Sequence, residues 1–207
     1  MSERTETARL LQEEYRAAVD VLVRVKAFLA QTDDLRIASI NASGVRALIG
    51  DFHRLLESEF SSPPGFVEQV LLPLLDRQGA RELSALIAAE RAGMRPLADC
   101  LRRICAAALQ GGFEMVSWAA FQGLAQAFSE QMLRHLEHKE TALLRAVDAA
   151  LDPAHAPGLD GRLAEAYRAA AARVDDPPPA APHPTKPRPN PDRRSGPTLL
   201  YPALTTG

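Results

Sequence analysis

Apolar positions recur at spacings of three and four along most of the first 175 residues, the signature of helices that bury one face. Leu10, Leu11, Ala18, Val21, Leu22, Val25, Phe28 and Leu29 predict an amphipathic helix from about Glu3 to Gln31, ending near Thr32-Asp33. Val45, Leu48, Ile49, Phe52 and Leu56 form the stripe of a second helix that starts between Asp34 and Ala42 and runs to about Phe60, closed by Ser61-Ser62-Pro63-Pro64-Gly65. A third segment, Phe66 to Asp76, carries Pro73, which removes a helical hydrogen bond and predicts a kink or broken turn. Periodicity resumes from Ala80 to Leu109, with Pro96 as a second kink position. Gly111-Gly112 then turns the chain into the longest predicted helix, Phe113 to Leu151. Asp152-Pro153 stops that helix, and Leu159 to Val174 reads as a short terminal helix docked by Leu163 and Tyr167.

Composition sharpens this picture. Apolar residues make up 46% of the 207 residues, enough for a well-buried core, but only 5% are aromatic, and the dominance of Ala and Leu favours helices over sheet. After Asp176 prolines alternate with Lys186, Arg188, Arg193 and Arg194, a composition with too little apolar surface to offset its ordering entropy. The expected organisation is therefore an N-terminal helix over 1–40, a helical bundle over 41–151, a loop and helix over 152–176, and a proline-rich tail over 177–207 that offers a ligand for a protein partner. Balanced charge, 24 basic against 26 acidic residues, lacks the footprint of a nucleic-acid binder. No apolar run is long enough for a membrane span, and with no apolar leader the expectation is a cytoplasmic protein. Cys100 and Cys105, five apart on one helix, point to different faces and read as small thiols in a reducing compartment. The apolar stripe of the first helix serves equally to cover the bundle or to form a homodimer.

Three landmarks occur in order: Leu71-Leu72-Pro73-Leu74-Leu75, then Glu90-Arg91-Ala92-Gly93-Met94-Arg95-Pro96-Leu97, then His135 followed by Lys139-Glu140. In this order and spacing the chain resembles the hemerythrin-like (HHE cation-binding) family. The resemblance implies an all-α, up-down four-helix bundle with an extra N-terminal helix and a short C-terminal one. It also implies a di-iron centre held by histidines and carboxylates from all four helices, used to bind or sense oxygen, store iron or repair metal centres.

Carried over residue by residue, the metal set is depleted. His53 and His135 fall on ligand positions, while Pro63 and Val67 replace the histidine and glutamate of the second helix, with Glu68 one position off. Arg91 replaces a histidine, and Lys139 replaces the carboxylate one turn beyond His135, with Glu140 again one position off. Arginine offers no lone pair to a metal, and lysine does so only after losing its proton. Buried at those positions, Arg91 and Lys139 need carboxylate partners, for which Glu68, Glu90, Asp51, Glu57 and Glu140 are candidates. His53 and Glu57, four residues apart, could with His135 and Glu140 form a single-metal site if the helices face correctly. The leading expectation is a non-enzymatic regulatory, scaffold or interaction protein with a degenerate metal centre and no cofactor. Its rival is an iron protein that binds or senses oxygen through a reduced ligand set, and a third class is an enzyme using the bundle's centre for an organic ligand. His138 reads as part of a polar face, and His155 and His183 as loop and tail residues.

Overall fold

The computed structural model describes residues 4–32, 37–60, 65–152 and 158–175. These residues are all-helical, with no strand among them: α1 (Glu6–Gln31), α2 (Val45–Phe60), α3 (Leu72–Arg77), α4 (Arg81–Gly111), α5 (Met115–His138), α6 (Leu144–Ala150) and α7 (Leu159–Asp175). Two π-helical turns complete the set, Val67–Leu71 leading into α3 and Lys139–Leu143 joining α5 to α6. The proline-rich stretch 177–207 lies outside the described residues, and no helix among those described is long and apolar enough to cross a membrane.

Side-chain contacts fix how the rods pack. Arg46 reaches the Leu109 carbonyl, Glu57 meets Arg102, Glu68 meets Arg91 and Ser84 bonds the Leu72 carbonyl, so α2, the first π turn and α3 together run antiparallel to α4. Glu90 meets His135 and His138 across the α4–α5 hairpin. Thr5 meets Asp148 and Phe28 packs on Trp118, so α1 runs antiparallel to α5 and α6, while Arg24 and Asp51 tie α1 to α2. Contacts α1–α2, α2–α4, α4–α5 and α5–α1 thus close a ring. α1, expected as an addition to a bundle beginning at 41, supplies one wall of this ring. Its apolar stripe, Leu11, Tyr15, Ala18, Leu22 and Val25, is buried within its own chain.

An aromatic ladder runs up the centre. Trp118 and Phe121 stack at one end with Phe113 edge-on to Trp118, and Phe52, Phe128 and Phe60 continue in edge-to-face pairs with centroids 5.6–6.2 Å apart. The two prolines are accommodated differently. Pro73 lies in the first turn of α3, just after a π turn in which the Leu72 N–H reaches back to the Val67 carbonyl. Pro96 is exposed on α4, which continues through it as one helix rather than breaking. The predicted helix 113–151 is one rod interrupted by the second π turn, and α2 begins later than expected, at Val45 after Gly44, whose φ of +80° suits glycine.

The N-terminus of α1 is capped from a distance. Thr5 caps Ala8, Asp148 accepts from the Thr5 amide and hydroxyl, and Asp160 of α7 accepts from the amides of Glu6 (2.7 Å) and Thr7 (2.9 Å). Burial disfavours the Asp160 carboxylate, yet the bonds from Thr7 and Glu6 outweigh it and hold its pKa below the ordinary value. Asp160→Ala should therefore cost about 1–2 kcal/mol in urea denaturation. Because the folded pKa is lowered, this contribution is present above the unfolded pKa of about 3.9 and is lost as pH falls through the folded value. The wild-type and variant curves should accordingly converge in acid.

Candidate functional site

The positions that the family resemblance marks as ligand positions fall into three separate polar groups. On α2, His53 is partly exposed and lies 3.7 Å from Glu57, whose carboxylate is taken by Arg102 at 3.0 Å. The second group is the hairpin pair: His135 Nδ1 lies 2.8 Å from one oxygen of Glu90, and His138 Nδ1 lies 2.6 Å from the other. The third, deepest group gathers Arg91, Lys139 and their carboxylates.

Arg91 is 8% exposed. Its Nε is 2.8 Å from Glu68 and 3.0 Å from the Glu59 main-chain oxygen, Nη2 also donates to that oxygen, and the guanidinium lies 5.6 Å from the centre of the Phe60 ring. Arg95 donates to the Phe60 carbonyl at 3.2 Å. Two arginines of α4 thereby satisfy carbonyls that the end of α2 leaves without helical partners. Lys139 is 2% exposed, 3.4 Å from the Glu59 carboxylate and 5.1 Å from the centre of the Tyr15 ring. Both cations thus turn inward, Arg91 paired with the candidate Glu68 and Lys139 with Glu59, which was not among the candidates.

The candidate partners named from the sequence divide. Glu68 sits inside the first π turn and faces Arg91. A π turn accommodates an extra residue and rotates the helix beyond it, so a register counted in α-helical steps fails there. Glu140, one residue into the second π turn, faces outward and bonds Gln12 at 3.0 Å, leaving Lys139 inside. His53, Glu57, His135 and Glu140 are therefore held by separate partners, and no three His, Cys, Asp or Glu side chains among the described residues converge as metal ligands.

Sequence reasoning missed Glu59, the partner of Lys139, together with Glu14 and Tyr15. A signal existed: Glu59 lies four residues after Leu55 and three after Leu56, and Glu14 three after Leu11 and four before Ala18, and all four of those apolar residues are buried. Each glutamate is a carboxylate on an apolar arc.

Electrostatics follows from this layout. Burial opposes ionisation of Glu90, but hydrogen bonds from His135 and His138 hold its carboxyl below the ordinary range. Burial, then the nearby Lys139 charge, pushes the His135 imidazole below its usual value, with Glu90 pulling the other way. A neutral His135 donates from Nδ1 to Glu90, which leaves Nε2 as an acceptor buried without a protein partner. Cys105 is buried and its thiol is pushed up to about 12 by burial, so it is chemically quiet. A groove of about 340 Å³ adjoins the hairpin pair, with Glu90 and His138 in its wall beside Gly93, Met94, Gln131 and Arg134. Comparison of the chain with family models, curated proteins and solved structures gave no match.

The buried pairs can be tested through stability. Glu59→Gln strands Lys139 and should lose about 3–5 kcal/mol in urea denaturation, whereas the double variant Glu59→Gln/Lys139→Met should recover most of that loss. The lowered His135 pKa means that the unfolded chain binds this proton more tightly than the folded one. Stability should thus fall as pH drops below about 6.5 and level off once pH passes the folded value, and His135→Gln should flatten that part of the profile of urea midpoint against pH.

Proposed function

We propose that this chain is an up-down four-helix bundle of hemerythrin-like architecture whose centre is held by ion pairs in place of metals, and that it acts as a regulatory, scaffold or interaction protein rather than an enzyme. The observation that carries this reading is the engagement of the central carboxylates by the chain's own cations: Glu68 by Arg91 and Glu59 by Lys139. A metal entering there would have to displace a buried ammonium or guanidinium, leaving a desolvated charge without a partner. Arg91 also closes the end of α2 through the Glu59 carbonyl, so moving it aside would expose that helix terminus.

The arrangement suits a rigid bundle better than a reaction centre. Glu90 orients both hairpin imidazoles, but His135 is 1% exposed, and the residues lining the groove beside His138 include no hydroxyl or thiol to serve as a nucleophile.

The test is elemental analysis and an absorption spectrum of full-length protein produced in iron-rich medium. Less than about 0.1 iron per chain and no visible charge-transfer band is the expected result. About two irons per chain with an oxo-bridge or peroxo band would overturn the reading in favour of an oxygen-binding iron protein.

A further inference from the structure

Helix α5 carries no Asp, Glu, Lys, Arg or His over residues 115–129, on any of its faces. A helix uncharged all round belongs in an interior, yet one side of this one faces out: Val116 is 83% exposed and Met115 69%. The outer side of α1, by contrast, carries Arg16, Asp20 and Arg24. The outward stripe of α5 runs through Val116, Ala120, Gly123 and Ala127 to Arg134, about five turns on from Val116. Gln126 and Glu130 bond each other along one rim of it.

Gly123 gives up about 1 kcal/mol against alanine in a helix interior. Packing within the chain does not call for it, since its φ is not positive and nothing beyond its own helical backbone lies within 4 Å of where a Cβ would stand. The same holds for Gly93 of α4, which shares a groove with Gln131 and Arg134 of α5. Two such glycines on the outer side of one hairpin suit a helix that approaches closely from outside. Exposed Val23 widens the apolar strip: it lies about three turns on from Gln12, whose bond to Glu140 marks the edge of α1 turned toward α5 and α6.

Charge and area indicate the occupant. Glu114 and Arg134 are exposed, and neither is in an ion pair among the described residues. They stand equally far, about 15 Å, on either side of Leu124. A second α5 laid antiparallel across the first therefore sets each carboxylate against the other copy's guanidinium. The strip is about 30 Å long and, with the edges of α1 and α4, about 20 Å wide. Two copies would bury about 1,200 Å², the lower end of what a specific interface needs.

We propose that α5 is the seat of a two-fold dimer, in which the α5 helices of two copies cross antiparallel at Gly123 and Glu114 of each faces Arg134 of the other. The stripe of α1 is buried within its own chain and takes no part. The contact is remote from the ion-paired centre, so it stands whether or not metal is found there.

Sedimentation velocity on the full chain at about 10–100 µM should give a mass about twice the 22.4 kDa of one chain. Gly123→Arg has room in the free chain, so helix content by circular dichroism should hold while the dimer Kd rises about 100-fold or more. Gly123→Ala should raise the Tm of the dilute monomer through its better helix propensity and still weaken the dimer about tenfold. Glu114→Arg and Arg134→Glu should each weaken association about tenfold, and an equimolar mixture of the two should recover it, because a mixed pair restores both contacts. A wild-type mass of one chain across that range overturns the proposal and leaves the face to a different protein. A dimer whose Kd is unmoved by Gly123→Arg places the contact elsewhere and overturns it too. If Gly123→Arg fails to fold, a mixture that does not recover association overturns it equally.

Discussion

Two cations inside an apolar ring of helices impose the constraint on which this structure turns. A guanidinium and an ammonium cannot leave water without partners, and the chain meets that demand with groups from different segments. Arg91 binds Glu68 of the first π turn and the Glu59 carbonyl at the end of α2, while Lys139 of the second π turn binds the Glu59 carboxylate. Residue Glu59 thus serves α4 with its main chain and the α5–α6 rod with its side chain. The two buried cations thereby link the end of α2 and the first π turn to α4 and to the α5–α6 rod.

Around this centre the apolar ladder from Trp118 to Phe60 supplies bulk burial, and the charged layer begins where the ladder ends, at the Phe60 ring beneath Arg91. Beyond the ladder the core also holds buried Leu11, Leu71, Leu75, Leu144, Val147 and Leu151, so the charges form a layer within an otherwise apolar core.

The helical faces were legible in the sequence because three-and-four periodicity is strong wherever a helix buries one side. The inward turn of Arg91 and Lys139 was an expectation of the resemblance alone, and both side chains are buried. What could not be read was the local helix geometry. Nothing in the residues Val67–Leu71 or Lys139–Leu143 announces a π turn. Glu59 and Glu14 were overlooked for a different reason. A lone glutamate on an apolar arc resembles a face boundary until the partner that buries it is known, and those partners are 80 and 153 residues away in sequence. The role of α1 as a full wall of the ring was hidden similarly, because its stripe suits any apolar surface.

Each π turn amounts to one residue inserted into a helix and absorbed without breaking the rod. A homologue that lacks the insertion would carry the same inward side chains at positions displaced by one. Pairing the two sequences without a gap would match inward residues with outward ones along the flanking turns, and a retained acidic residue would look lost. Divergence at Glu68 or Lys139 in such a comparison is thus a question about where a residue was gained before it is a question about which chemistry was abandoned.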